Sequence, residues 1–221
     1  MLKKPILPLL AFILLFNSCI GLSVDIQMNR NGSGKVFFEY QISRMVENLG
    51  LFDGNESMPA IPISKTDWER TVSRNPGLKL VSYSSKVSGA DTIRNVTIEY
   101  ANEDALKALL GGNYTGKVSI NREGGAGTID ISLMDEPLFS NDDTYNENTL
   151  SLINNFMKGY RFAISFSATG NSLLALTDKD GTIISSPQTA QAVLTGRKVS
   201  FSIDITELYN LNNGLGIRFI W

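Results

Sequence analysis

Apolar and polar residues alternate along most of this chain, which is typical of β-strands that bury one face. The first alternating stretch, residues 23–29, is separated from the second, residues 36–42, by a turn at 30–34. That turn contains Asn31-Gly32, a pair that favours the backbone angles of a tight hairpin. The sequence therefore predicts an antiparallel hairpin whose buried side is formed by Val36, Phe38, Tyr40 and Ile42.

Similar alternation predicts strands along the rest of the chain. Glycine-rich or polar turns separate several of them, as expected for hairpins. The stretch from the turn at 178–181 to Gly196 gives no clear pattern. The predicted strands are residues 78–87, 92–100, 116–121, 128–134, 162–168, 173–176, 199–205 and 215–221.

Four stretches instead show the spacing of amphipathic helices, with apolar residues three and four positions apart. Thr66 and Glu69 have the spacing of a capping box, so we expect a helix over 66–74 with Trp68 and Val72 on its buried side. Asn102 is the predicted cap of the clearest helix, 102–110. The other two are 45–51 and 150–157. Strands with covering helices indicate an α+β fold.

The N-terminus reads as an export signal. Lys3 and Lys4 precede an apolar run, residues 6–16, that is too short for the roughly 20 residues of a membrane-spanning helix. The run leads to Cys19, the single cysteine of the 221 residues. This order is typical of a bacterial lipoprotein signal, in which the cysteine is acylated and the chain is cut in front of it. We therefore expect a signal peptide over residues 1–18 and a mature chain over 19–221.

Two other interpretations of this segment remain open, because Phe16 and Asn17 replace the residues of the commonest lipoprotein signal. The chain could be cut near Ser18 as an ordinary secreted protein, or it could keep the segment as an uncleaved anchor. We favour acylation of Cys19, for instance by palmitate, because a lone exposed thiol is a liability in an oxidising compartment. The predicted location is the bacterial cell envelope, periplasmic or surface-exposed. Ile20 favours the outer membrane.

Composition excludes several kinds of chemistry. The chain has no histidine, which rules out Ser-His-Asp and Cys-His catalysis and the usual zinc sites. Loss of residues 1–18 removes two lysines and takes the formal net charge from −2 to −4, so no basic surface for nucleic acid is expected. We assign no catalytic residue, cofactor or metal site.

Two acidic segments resemble calcium loops without meeting their requirements. Residues 178–181, with sequence Asp-Lys-Asp-Gly, fit a hairpin turn better. Asn141, Asp142, Asp143 and Glu147 lie in a polar loop, 135–148, that we interpret as solvated. This loop is also a candidate boundary within an otherwise single domain.

The order of elements resembles the LppM-like family of exported bacterial lipoproteins. The likeness is carried by the opening strand and its Asn-Gly-Ser-Gly turn, by 77–80 and 95–100 followed by the helix at 102–110, and by 198–201 leading to the strand at 215–221. It implies a curved, mainly antiparallel sheet with a few packed helices, and no catalytic residues. Many relatives carry a C-terminal transmembrane helix that this sequence lacks, so anchoring would depend on Cys19.

We therefore expect a non-enzymatic lipoprotein, anchored to the membrane through acylated Cys19, that binds a lipid, another hydrophobic ligand or another envelope protein. The alternative is a hydrolase or transferase of the envelope that uses carboxylates such as Asp135 and Glu136.

Overall fold

Eleven strands and four short helices form the part of the chain that the structure, a computed structural model, describes: residues 20–47, 62–111, 118–134, 158–178, 180–185, 190–209 and 214–221. The helices are α1 (Arg44–Glu47), α2 (Lys65–Arg74), α3 (Glu103–Leu110) and α4 (Ile205–Tyr209). The strands are β1 (Ile20–Met28), β2 (Gly34–Ser43), β3 (Leu78–Ser88), β4 (Asp91–Tyr100), β5 (Val118–Glu123), β6 (Ala126–Met134), β7 (Arg161–Ser167), β8 (Leu173–Thr177), β9 (Gln191–Thr195), β10 (Lys198–Asp204) and β11 (Leu215–Ile220).

The strands form two sheets. The larger has seven strands in the order β3-β4-β2-β1-β7-β10-β9, and the smaller has four in the order β5-β6-β11-β8. β1 lies in the middle of the larger sheet, antiparallel to β2 and parallel to β7. The other pairs in both sheets are antiparallel. The first strand of the fold is therefore also the central one.

The core lies between the two sheets. Phe166 on β7 stacks on Phe219 of β11 with ring centroids 5.3 Å apart, and it contacts Trp221 at 5.1 Å. Buried apolar residues of both sheets belong to one packed cluster. Because each fully buried large apolar side chain contributes roughly 1.5–3 kcal/mol, this layer supplies much of the stability.

The predicted α+β fold with one curved sheet is wrong. The protein is mostly β-sheet, its sheets are not strongly curled, and its helices are few and short. The longest described helix, α2, has ten residues. The smaller sheet packs on the larger one at Phe166 and Phe219, whereas α2 covers Phe38 with Trp68, so a second sheet takes part of the place expected for helices. Alternation within a strand shows which side is buried but not whether a helix or a second sheet covers it.

The first hairpin has the predicted register. Val36, Phe38, Tyr40 and Ile42 are buried on one side, whereas Phe37 is half-buried on the other. β1 and β2 are joined by a turn in which Gly32 has φ +82°, a conformation that suits glycine.

The start of α2 differs from the prediction by two residues. Ser64, rather than Thr66, is the N-cap: its hydroxyl oxygen accepts a hydrogen bond from the Asp67 amide at 3.1 Å, and the Asp67 carboxylate accepts one from the Ser64 amide at 3.1 Å. A capping box needs an acidic or amide side chain at the third helical position, and Asp67 meets that need two residues before Glu69. Trp68 is buried as predicted and lies 4.9 Å from the Phe38 ring.

Other predictions have mixed outcomes. Asn102 caps α3 as expected, since its side-chain oxygen accepts a hydrogen bond from the Ala105 amide at 2.9 Å. The sequence pattern missed β9 and the parallel pairing of β1 with β7. The signal peptide 1–18, the loop 135–148 and the helix 150–157 lie outside the described residues. The single domain over 19–221 stays a prediction.

Candidate functional site

The predicted lipidation residue, Cys19, lies outside the described residues, but the residue after it does not. Ile20 is the first residue of β1, and its Cα pairs with that of Ile42 at the end of β2. Consecutive Cα atoms are 3.8 Å apart, so any acyl group on Cys19 is attached directly to the end of the central strand.

We call this end of the seven-stranded sheet, where β1 begins, β2 ends and β3 turns into β4, the anchor end. The Arg44 amide donates to the Ala90 carbonyl at 2.9 Å, which holds α1 against the β3–β4 turn. Two large apolar side chains are exposed here: Met45 on α1 (52%) and Val87 at the end of β3 (63%). The neighbouring Arg44 and Lys86 are also exposed. The anchor end thus combines exposed apolar groups with cations.

A partly buried ion pair lies beside these groups. Arg94 of β4 pairs with the Glu47 carboxylate at the end of α1, and the Thr92 hydroxyl donates to the same carboxylate. Arg94 and Thr92 point to the inner face, as their alternation with Val96 requires. Since a charge away from water is stable only when it is paired, this contact fixes α1 to the sheet.

The other side of the seven-stranded sheet, which we call the polar face, carries mainly polar side chains that are exposed or half-buried. Near its middle, the Ser165 hydroxyl donates to the Asp25 carboxylate at 2.6 Å, and the Lys198 ammonium lies 3.0 Å from the same oxygen. The Asp25 carboxylate is thus held by a serine of β7 and a lysine of β10.

Two open depressions lie on or beside the polar face. One, of about 240 Å³, has Asp25, Phe37, Glu39 and Asn95 among its lining residues. The other, of about 480 Å³, lies near the β1–β2 turn and is lined in part by a pair of lysines around Glu99, at 3.2 Å from Lys35 and 3.8 Å from Lys79. Both depressions are open to solvent and mix polar with apolar groups, whereas a lipid-binding cavity encloses its ligand in mostly apolar walls.

The remaining acidic candidates divide into two groups. The predicted turn is closed by the Gly181 amide, which donates to the Asp178 carbonyl at 3.1 Å, and the Asp178 carboxylate accepts hydrogen bonds from the Asp180 and Thr182 amides, both at 2.9 Å. Asp135, Glu136 and the 141–147 cluster lie outside the described residues. In the part of the chain that is described, no group of three or more metal-ligating side chains comes together.

Burial raises the pKa of three tyrosines in the larger sheet. It raises the pKa of Tyr40 and of Tyr100 far above the ordinary range, and it is also the largest cause that raises the pKa of Tyr83. The Tyr100 hydroxyl donates to the Gln27 carbonyl at 2.9 Å. These tyrosines are neutral structural residues at physiological pH.

The two edges of the larger sheet complete the surface. β3 forms one edge and carries Lys79 and Lys86, with a register shift between Leu80 and Ser82. β9 forms the other edge, and all five of its residues are exposed. The signal that could have revealed β9 is the short apolar run Ala192-Val193-Leu194 between Gln191 and Thr195, ahead of the Gly196-Arg197 turn.

Among the described residues no helix is long and apolar enough to cross a bilayer. The sequence matches no family model, and it matches no curated protein.

Two solved structures are similar to the chain. The NMR structure of the folded domain of the Mycobacterium tuberculosis LppM protein has a TM-score of 0.47 and 7% identity, and the match covers 91% of this chain and 89% of that one. A chimeric titin Z1Z2 carrying a KLER peptide from decorin has a TM-score of 0.18 and 10% identity, with 83% and 78% covered. The likeness to LppM is one of overall fold, and TM-scores this low carry no argument about function.

Proposed function

We propose that the protein is a lipid-anchored envelope protein without enzymatic activity, held by acylated Cys19 with its anchor end at the bilayer. The observation that carries the proposal is the position of β1. This strand begins at Ile20, immediately after Cys19, and lies in the middle of the larger sheet. A lipid on Cys19 is thereby joined to the central strand of the larger sheet without an intervening linker.

Cleavage in front of Cys19 is compatible with this fold. Every described strand and helix begins at residue 20 or later, so removal of residues 1–18 leaves these elements whole. Each buried methylene contributes about 0.8 kcal/mol to membrane partitioning, and one acyl chain holds a protein only marginally. Two or three chains on Cys19 hold it stably.

The surface around the anchor supports the same orientation. Met45 and Val87 are exposed apolar side chains at the anchor end, and Arg44 and Lys86 lie next to them. Apolar side chains favour the acyl boundary of a bilayer, and cations near it favour anionic headgroups. Contact with the bilayer therefore gives these exposed groups a favourable environment.

Of the ligands predicted from the sequence, we favour another envelope protein over a lipid. The interior between the sheets holds packed apolar side chains, and the two described depressions are open to solvent and do not enclose a space for an acyl chain. The carboxylate-dependent hydrolase or transferase stays a prediction, because Asp135 and Glu136 lie outside the described residues. The outer membrane likewise stays a prediction.

Intact mass and detergent phase partitioning test the anchor. We expect the wild-type mature chain to begin at Cys19, to carry the mass of attached acyl chains and to enter the detergent phase. The comparison is a Cys19→Ser chain exported with an ordinary secretory signal in place of residues 1–18, which we expect to fold and stay in the aqueous phase. A Ser18→Ala variant, which keeps the cysteine, is the matched control and should behave as wild type.

Two results would contradict the proposal. An unmodified Cys19 thiol in the wild type would favour plain secretion or an uncleaved signal. A Cys19→Ser chain that still entered detergent would show that another part of the protein binds the membrane.

A further inference from the structure

The edge strand β9 is the most exposed part of the seven-stranded sheet. It pairs with β10 from Gln191 to Thr195 on one side, and no described strand pairs with its other side. Its two largest apolar side chains, Val193 (52%) and Leu194 (61%), are exposed. An edge of this kind leaves a row of backbone amides and carbonyls without strand partners.

We propose that β9 is a docking site for an extended segment of another envelope protein, which adds to the sheet as an eighth strand. In this mode the backbone supplies hydrogen bonds and the alternating side chains supply specificity. Leu194 lies opposite Val199 on the apolar inner side, and Val193 lies opposite Ser200 on the polar face. The segment that fits has apolar residues at alternate positions with uncharged residues between them.

The opposite edge lacks these properties. β3 has a register shift between Leu80 and Ser82, and Lys79 and Lys86 lie along it. Bulges and lysines are the usual means by which proteins protect an edge strand from pairing. β9 carries no charged residue and pairs with β10 in one continuous register. Of the two edges, only β9 is suited to accept a strand.

A second copy of this chain fits the edge poorly, a step that depends on the proposed lipid anchor. Antiparallel pairing of two β9 strands relates the copies by a half-turn about the normal to the sheet. That rotation points the two anchor ends in opposite directions, so two copies held by Cys19 in one bilayer cannot pair in this way. The occupant is therefore a segment of a different protein.

The position of β9 also indicates where that partner lies. Gln191 is level with Ser23 of β1 through the pairs Gln191–Ser202, Ser202–Ala163 and Ala163–Ser23. Ser23 is four residues after Cys19, a span of about 13 Å in a strand. The added segment would thus lie close to the membrane, as expected for a part of another envelope protein.

The test uses the purified full-length protein in detergent and a synthetic peptide with the sequence of residues 198–204. This segment is β10, the strand that β9 already accepts on its other side, and Val199, Phe201 and Ile203 alternate along it with serines. The control peptide carries proline in place of Ser200 and Ser202, which removes two backbone donors. Amide hydrogen exchange reports each edge separately, and anisotropy of labelled peptide gives the affinity.

We expect the peptide to slow exchange in residues 191–195 and not in 78–88, and the control peptide to have no effect. Val193→Lys should weaken binding by about tenfold or more, because a charged edge side chain disfavours pairing. Val81→Lys, on the exposed part of β3, is the matched control and should bind as wild type. Both positions are exposed, so unchanged thermal midpoints should confirm that the variants fold.

The proposal is overturned if the peptide leaves exchange in β9 unchanged, if it protects β3 equally, or if the proline peptide binds as well. It is also overturned if the protein is a dimer that Val193→Lys dissociates, since the occupant would then be a second copy. These outcomes do not depend on acylation. Failure of the anchor appears separately in the intact mass.

Discussion

The two edges of the seven-stranded sheet are built differently. β3 has eleven residues and pairs with β4 along its length, and α2 packs beside it with Trp68 in the core. β9 has five residues, all exposed. The protected edge carries the bulge, the lysines and a covering helix, and the other edge has none of these. The features that protect a strand edge are therefore concentrated at β3. β9 is left without them and is the open edge.

The largest loss of stability is expected from a substitution in α2, the helix that packs beside the protected edge strand β3. Trp68→Ala should lower the free energy of unfolding by about 3–5 kcal/mol, because it leaves a cavity between α2 and the Phe38 ring. Leu194→Ala on β9 should change it by less than about 0.5 kcal/mol. Chemical denaturation of both variants measures the difference. A cost at Leu194 as large as that at Trp68 would mean that β9 is covered and that the contrast fails.

A smaller loss is expected at the ion pair of the anchor end. Glu47→Gln removes the charge that compensates Arg94 and should cost about 1.5–3 kcal/mol, the range for hydrogen bonds to charged groups. Glu99→Gln is the matched control, since Lys35 and Lys79 hold Glu99 on the surface and exposed pairs contribute less than about 1 kcal/mol. Equal losses in denaturant titrations would show that the Arg94 pair is as well solvated as the surface pair.

Alkaline pH should lower the free energy of unfolding through two buried tyrosines on β2 and β4. Burial raises the pKa of Tyr40 on β2 and of Tyr100 on β4 in the folded protein, whereas an unfolded tyrosine titrates near the ordinary value of about 10. Below that pH their contribution to stability is complete. Above it the unfolded chain loses protons first, so the free energy of unfolding falls by about 1.4 kcal/mol per pH unit for each tyrosine.

Denaturation at a series of pH values from 8 to 11, chosen to bracket the ordinary value of about 10, measures this slope. Tyr40→Phe should make the decline shallower. A slope that is the same in the variant would show that Tyr40 ionises as readily in the folded protein as in the unfolded chain.

The smallest effect on stability is expected at the open edge itself. Val193→Lys should change the free energy of unfolding by less than about 0.5 kcal/mol, because the side chain is already exposed. It should also slow any aggregation of concentrated protein, since lysine on an edge opposes pairing between sheets. Light scattering of wild type and variant at equal concentration measures this. Faster aggregation of the variant would contradict the assignment of β9 as the open edge.

The candidate site could be predicted only in part. Cys19 follows from the charged and apolar residues before it, and that prediction needs no structure. The exposure of Met45 and Val87 at the same end as Ile20 depends on the register of four strands. The open edge depends on which strand lies last in the sheet. Neither the register nor the strand order has a local signal in the sequence.

The sequence by itself determined most of the strands, the side that many of them bury, and several turns and caps. Phe38 is inward and Phe37 outward because alternation has a period of two residues, and Asn102 caps α3 because its side chain satisfies a free amide. Only the tertiary structure decided that β1 pairs with β7 and that β11 joins β6 and β8 in a second sheet. Periodicity reports the burial of a face, which is local, whereas strand pairing and layer packing depend on contacts between residues far apart in the chain.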